Sequence, residues 1–263
     1  MIGDVVGDPG LQVLELRLPE LIKENSVDFV TVNGENAAAG FGLTAGLLER
    51  IFAAGADVVT GGNHIWEKRE FWPTLDTEKR VLRPMNYPGG SPGRGWIQTE
   101  KLTPGGPVSW LVINLQGREL MPRLDCPFKS FDAFEAGLEN PENTQKSPVI
   151  LVDFHAESSR EKEALAYYLD GRVSVVAGTH THVQTADERI LPKGTAYISD
   201  LGMTGVLSGI IGMDRKICIE RARNQVLYRM ETAAPDGDGA AVQGIIAEID
   251  GETGKALSVR RIT

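Results

Sequence analysis

The chain has 263 residues, 41% of them apolar and 24% charged, which is length enough for a sizeable core and an ordinary composition for a globular protein. A net charge of −9 argues against a nucleic-acid-binding surface or an anionic-membrane partner, so an anionic substrate would need positive charge supplied locally. Cys126 and Cys218 form no CxxC pair, Asp4 and Asp8 interrupt any signal peptide, and no run approaches the ~18 apolar residues of a membrane span; the expectation is a cytoplasmic protein with reduced, mostly buried thiols.

In chain order, Asp4 follows "M-I-G", and Asp8 before Pro9 reads as a helix cap. Leu11, Leu14, Leu18 and Leu21 fall at helical spacing, with Pro19 expected to bend or split the segment. "V-D-F-V-T-V-N" (27–33) reads as a strand and runs into Glu35 and Asn36. "G-F-G-L-T-A-G" (40–46) reads as a loop and helix start, and residues 43–54 as a helix ended by Gly55. The strand "A-D-V-V-T" (56–60) precedes "G-G-N-H", which carries Asn63 and His64. Residues 84–95, rich in Pro and Gly, read as a surface loop, and 95–116 as a hairpin around "T-P-G-G-P". "P-V-I-L-V-D-F" (148–154) ends at His155, and the helix from Ser158 opens with a capping box, Ser158 to Glu161. "V-S-V-V-A" (173–177) leads to "G-T-H-T-H", with His180 and His182, and "T-A-Y-I-S" (195–199) is another strand. From about residue 224, "N-Q-V-L-Y-R-M-E-T", "A-V-Q-G-I-I-A-E-I-D" and "A-L-S-V-R-R-I" predict three antiparallel strands. Unalternating Val and Ile runs separated by helices predict an α/β protein with a sheet buried on both faces, in a single domain over 1–263.

Five of these strands end in a carboxylate, carboxamide or imidazole, and the carboxyl edge of an open α/β sheet is its ligand-binding edge. Each such residue alone has a bland explanation: a strand-end histidine is usually packed or hydrogen-bonded, and G-D or G-N is usually a turn. What distinguishes this chain is that all four histidines, His64, His155, His180 and His182, stand at such positions. On an extended segment His180 and His182, two residues apart, would point to one side and share a site. Two carboxylates, two carboxamides and four imidazoles, without thiolate, suit a transition metal better than Ca or Mg, and exceed what one ion needs. No G-x-x-x-x-G-K-[ST] loop, G-x-S-x-G elbow or H-x-H-x-D-H cluster competes.

The blocks "G-D-V-V-G", "N-G-E-N-A-A-A-G", "G-G-N-H-I-W-E", "D-F-H-A-E" and "G-T-H-T-H-V-Q-T" resemble, in order, those of the calcineurin-like metallophosphoesterases. Val6 stands where that superfamily has a histidine, and Glu35 where it has its bridging Asp. With "R-P-M-N-Y-P", "N-L-Q-G-R" and "D-L-G-M-T-G", these departures resemble the YmdB branch of bacterial cyclic-nucleotide phosphodiesterases across nearly the whole chain. The resemblance implies a four-layer α/β/β/α sandwich with two metal ions, iron or manganese, at one sheet edge. Asp4, Glu35, Asn36 and His182 would hold one ion, and Glu35, Asn63, His155 and His180 the other. His64 would be the acid or hydrogen-bond donor at the leaving oxygen, with a purely orienting role as the alternative. A metal-bridging hydroxide would attack phosphorus in line with the departing ester oxygen, without a covalent enzyme intermediate.

The implied substrate is a 2′,3′- or 3′,5′-cyclic nucleotide; the alternative function is a nucleotide-sensing regulator with little turnover. No membrane or stable nucleic-acid partner is expected, and a homo-oligomer is compatible with the reading. Loops 202–205 and 212–215 are candidates for substrate contact, with plain glycine turns as the alternative. Because only Met1, Ile2 and Gly3 precede Asp4, the sequence also predicts a first strand of about three residues, a late start, and a free amino terminus close to the metal edge.

Overall fold

In the computed structural model, which describes residues 1–138, 148–235 and 239–263, side-chain alternation along the strands divides the molecule between separate cores. The chain runs β1 (Asp4–Val5), α1 (Gly7–Asn25), β2 (Thr31–Asn33), α2 (Ala45–Ala53) and β3 (Val58–Thr60). A 3₁₀ turn (Arg69–Phe71) and α3 (Trp72–Thr77) lead to the hairpin of β4 (Trp96–Thr103) and β5 (Gly106–Gln116). Next come α4 (Pro127–Gly137), β6 (Val149–His155), α5 (Ser159–Leu169), β7 (Val175–Thr179), β8 (Arg189–Ile190), β9 (Ala196–Ile198) and β10 (Met203–Val206). The chain closes with α6 (Arg215–Asn224), β11 (Ala240–Val242), β12 (Gly244–Ile249) and β13 (Ala256–Ile262).

The largest sheet has the order β4-β5-β6-β7-β9-β8, parallel from β5 to β9 and antiparallel at both edges. Facing it are the parallel pair β2-β3, the hairpin β12-β13 and the trio β1-β10-β11. Ile2 bridges Val32 on one side and Gly244 on the other, and so stitches the first two pieces together.

Consecutive strand residues enter different cores. Val58, Val112, Leu151 and Val175 pack with Ile245 and Ile198 between the sheets. Their neighbours Ile113, Val152 and Val176 pack under α4 and α5 with Phe131, Leu165 and Leu169, while Val59 joins Leu11, Leu14, Leu18, Leu48 and Ile51 from α1 and α2. A slip of one residue in β6 would exchange Leu151 for Val152 and turn Asp153 and His155 away from the inter-sheet space. Register therefore decides where the polar strand ends point.

Several expectations need correction. α1 is unbroken at Pro19, which lies on the exposed face, where water can serve the carbonyl its ring cannot bond. Asp8 is an acid in the first turn of α1, bonded to Gln12 and Arg50, and Val6 is the N-cap residue. The Ser158 cap exists, but Glu161 turns away from it to accept the Arg118 and Glu119 amides, so the box is half formed. Segment 225–232 is not a strand: it makes one bridge, Thr232 to Met213, and Val226 and Leu227 are exposed without a sheet edge to pair with. Residues 203–206 form the buried strand β10 between β1 and β11, and so are no open loop. Both cysteines are free and half-buried rather than buried. The amino group of Met1 donates to Ile245 O at 2.9 Å and lines a cleft with Ser26, Val27 and Asp28 at the amino end of β2, away from the carboxyl edge. Burial there pulls its pKa down to about 5.

Candidate metal centre

The polar strand ends meet on the inter-sheet face. β6 delivers His155 as its last residue, and the turns after β2, β3 and β7 deliver Glu35 with Asn36, Asn63 with His64, and His180 with His182. His155 Nε2 is the focus: Glu35 Oε1 lies 2.9 Å from it, His180 Nδ1 3.0 Å and Asn63 Oδ1 3.1 Å. A Cβ on Gly62 would stand 2.3 Å from the His155 ring and 2.5 Å from Glu35 Oε2, so the chain passes this point only as glycine.

Behind His155 lies a buried network. Asp153 accepts from Asn33 Nδ2 at 3.1 Å, from Thr179 Oγ1 at 2.6 Å and from Thr60 Oγ1. The Thr179 hydroxyl spends its proton on Asp153, so it accepts from His155 Nδ1, 2.9 Å away. That assigns the proton of neutral His155 to Nδ1 and leaves the Nε2 lone pair facing Glu35, Asn63 and His180. Asn33 also accepts the Glu35 amide at 3.1 Å, which sets the acid after β2.

The second group is looser. Asp4 Oδ1 lies 3.9 Å from His155 Nδ1 and 4.0 Å from His182 Nε2, and Asp4 Oδ2 accepts the His180 amide at 3.2 Å. His182 Nδ1 is 3.0 Å from Ile211 O. Asn36 is buried with Nδ2 on Gly40 O. The two histidines do not share an extended segment: β7 stops at Thr179, and His180 and His182 have φ of 103° and 62°. Left-handed backbone at a non-glycine residue costs on the order of 1–3 kcal/mol and survives only where the surroundings enforce it. The turn sends His180 to the first group and His182 to Asp4. His64 stands at the rim. Its amide donates to Glu35 Oε2 at 2.9 Å, Nδ1 lies 3.4 Å from Glu67, and its ring meets Phe41 edge-on at 5.0 Å, so Nε2 is the nitrogen left for a ligand.

Protonation follows the same geometry. Burial works against ionised Glu35, but the charge and hydrogen bond of His155, with help from His64, outweigh it and bring the carboxyl down to about 2. Burial likewise opposes a charged His155, and Glu35, Asp4 and Asp153 overcome it, raising the imidazole to about 9. Burial raises Asp4 to about 6, against the pull of His182 and His155. Burial and the charge of His155 hold His180 neutral, at about 3. A proton on His155 Nε2 thus stands where a cation would sit.

These residues fit a metal. Asp4 Oδ1 and Asn36 Oδ1 are buried acceptors without a hydrogen-bond partner, a costly state that a cation relieves, and Glu35 Oε1 has only His155, whose Nε2 donates to it when the ring is charged. Glu35, His155 and His180 present donor atoms within 4.8 Å of one another. The mixed oxygen and imidazole set matches a transition ion. The sequence reading missed Asn33, Thr60, Asp153, Thr179 and Glu157, whose Oε2 lies 3.3 Å from His180 Nε2. Period two was the available signal: Asp153 precedes His155 by two residues on the same face of β6.

Known proteins resemble this one along nearly its whole length. A Bacillus subtilis (strain 168) protein named 2′,3′-cyclic-nucleotide 2′-phosphodiesterase is 44% identical over 261 residues, covering 99% of this chain and 94% of that one. A crystal structure of a hypothetical protein from Thermus thermophilus superposes with a TM-score of 0.88 at 38% identity, covering 99% of this chain and 96% of the other. The crystal structure of a novel phosphatase from Mycoplasma pneumoniae gives 0.87 at 30% identity, with 99% and 90% covered. The model of the family described as YmdB-like protein matches residues 1–262, and the chain belongs to that family.

Proposed function

We propose that the protein is a metal-dependent phosphodiesterase acting on cyclic nucleotides, with 2′,3′-cyclic nucleotides as the first substrates to test and 3′,5′-cyclic nucleotides as the second. The observation that carries the reading is the convergence of Glu35, Asn63 and His180 on His155 Nε2 within 3.1 Å, in a chain 44% identical to a 2′,3′-cyclic-nucleotide 2′-phosphodiesterase. Glu35, Asn63, His155 and His180 would hold one ion of iron or manganese, and Asp4, Asn36 and His182, with Glu35 shared, a second. When bound, such a pair supplies a deprotonated water near neutral pH and neutralises charge building on the phosphate.

The protein's own groups do the rest. The Asp153–Thr179 relay holds His155 in one tautomer with Nε2 toward the site. Glu35 stays ionised, by virtue of His155 and His64, and so offers charge to both groups. His64, fixed through its amide and through Nδ1, presents Nε2 to the ester oxygen that leaves and gives it a proton or hydrogen bond. The three cores would be the interfaces of an α/β/β/α sandwich in which residues 1–263 act as one domain. Among the described residues no helix is long and apolar enough to cross a membrane.

The test is turnover of 2′,3′-cAMP, 3′,5′-cAMP and bis-p-nitrophenyl phosphate by protein of measured metal content. Turnover that chelation abolishes and Mn²⁺ or Fe²⁺ restores is expected. Tight nucleotide binding with negligible turnover of all three, at full metal content, overturns the enzyme reading in favour of a sensor.

A further inference from the structure

Between α5 and the histidine turn lies an ion pair that the proposed chemistry does not use. Lys162 and Asp200 are both about 2% exposed, with Nζ 2.7 Å from Oδ2. The Lys162 stem reaches Asp200 past Gly178, where a Cβ would meet Lys162 Cδ at 2.8 Å and Ser199 O at 1.8 Å. A buried ion pair is weak as a source of stability, because apolar residues of similar volume often serve as well. Its other hydrogen bonds point to a different use. Asp200 Oδ2 also accepts the amide of Thr181 at 3.1 Å, and Oδ1 accepts the amide of Gly202 at 2.9 Å. Thr181 is the residue between His180 and His182, both of which carry the left-handed backbone. Gly202, at φ 80°, passes the restraint on, since its carbonyl accepts the Asp4 amide at 3.2 Å. One carboxylate thus fixes the backbone that carries His180, His182 and Asp4, drawn from both halves of the centre.

We propose that Asp200, neutralised by Lys162, is a positioning residue that holds the His180–Thr181–His182 turn and Asp4 in ligand geometry; this rests on the metal reading above. Two oxygens are required. An amide at position 200 keeps one acceptor and places N–H groups against an amide that itself donates.

The test uses metal-stripped, full-length protein titrated with Mn²⁺. Asp200→Asn should weaken binding about 10–100-fold, the range for groups that orient metal ligands. The Asp200→Asn/Lys162→Met double variant removes the unpaired ammonium, so a folded protein is available if the single variant unfolds, and it should show the same loss. Leu165→Ala, one turn along α5 in the apolar core, is the control for general destabilisation and should lower the metal-free melting temperature while leaving Mn²⁺ affinity at the parental value. Parental affinity in a folded Asp200→Asn or double variant, or an equal loss in Leu165→Ala, overturns the positioning role alone. A parent protein that binds neither Mn²⁺ nor Fe²⁺ overturns the metal reading, and the positioning role with it.

Discussion

The two halves of the candidate centre are held in different ways. Around His155, three donor atoms close to within 3.1 Å of one nitrogen, backed by the buried Asp153–Thr179–Thr60–Asn33 network. Around Asp4, the nearest imidazole nitrogens stay 3.9–4.0 Å away, and a carboxylate oxygen, Asp4 Oδ1, and an amide oxygen, Asn36 Oδ1, have no hydrogen-bond partner. His182 leans on the backbone of Ile211, an exposed residue that itself has φ 49°. One half is prepared by hydrogen bonds between the ends of four strands. The other rests on the His180–His182 turn, without such a network. The difference teaches that hydrogen bonding fixes the His155 half far more closely than the Asp4 half; if each half holds an ion, as proposed, the two should bind in sequence and with unequal affinity.

The strongest way to break this comparison is to remove its centre. His155→Ala should abolish turnover and weaken the first ion by more than the ~100-fold typical of losing an outer partner, because three ligands lose their common neighbour. His182→Ala should instead leave one tightly bound ion. Metal analysis after dialysis measures both, and equal stoichiometry in the two variants would erase the distinction between the halves.

His64 lies outside both halves and tests whether the rim is separable from the centre. His64→Ala should keep both ions and lose about 10²–10⁴ in kcat on cyclic nucleotides, whose alkoxide leaving group needs a proton. On bis-p-nitrophenyl phosphate the loss should shrink, since p-nitrophenolate leaves unaided. An equal loss on both substrates would assign His64 an orienting role.

A smaller effect probes the network itself. Thr179→Val keeps the shape but deletes the hydroxyl joining His155 to Asp153, which frees the tautomer and strands a buried carboxylate oxygen. First-ion affinity should fall about 10–100-fold with little change at the second. Equal weakening of both ions would mean that the halves are one cooperative unit.

That polar residues gather at strand ends was legible from the sequence, because Val/Ile runs mark strands and the carboxyl edge of a parallel sheet binds ligands; that β2 and β3 stand in a separate sheet facing β6 and β7 was not, because alternation within a strand does not say which strands pair. The pattern also held the network, at Asp153 and His155 two apart, but alternation alone does not say that the face between two sheets turns polar at its end. The turn at His180 and His182 was not legible. The turn with left-handed φ at two histidines hydrogen-bonds to Asp4 and Asp200, residues 176 and about 20 positions away, which local sequence cannot foretell. Local propensity failed likewise at 225–232, where alternating Val226, Tyr228 and Met230 imitate a strand but no edge receives them. Just before it, α6 was missed, although Asp214 caps it by accepting the Ile217 amide at 2.9 Å. Nothing in the helix is buried, so its apolar residues show no core-facing stripe to read.

The smallest expected effect is on stability against pH, and it distinguishes a proton from a cation at His155. The folded-state pKa of His155, raised to about 9 from an ordinary 6.5, contributes stability that is fully present below 6.5 and is lost as pH rises through 9. Asp4, raised to about 6, acts in the same direction but is spent by then. Two groups oppose it: the Met1 amine, lowered to about 5 from 8.0, and His180, lowered to about 3 from 6.5, both favour the folded state as pH rises; His180 is finished by pH 8, while the unfolded Met1 amine is still half protonated there and offsets part of the His155 loss up to pH 9. Glu35 matters only below 4.5. From pH 8 to 9 His155 is the largest contributor, opposed in part by the Met1 amine and joined near pH 9 by Cys218, whose thiol burial pushes up. There the metal-free protein should lose about 1–2 °C of melting temperature. With saturating Mn²⁺ this decline should vanish, because the metal takes the place of the proton on Nε2 and neither the metal-bound folded state nor the unfolded state then carries it between pH 8 and 9. Melting curves at pH 8.0, 8.5 and 9.0, with and without Mn²⁺, measure the contrast. A decline of the same slope in both series would show that the proton on His155 is not what the metal displaces, and that the prepared half of the centre is something other than a cation site.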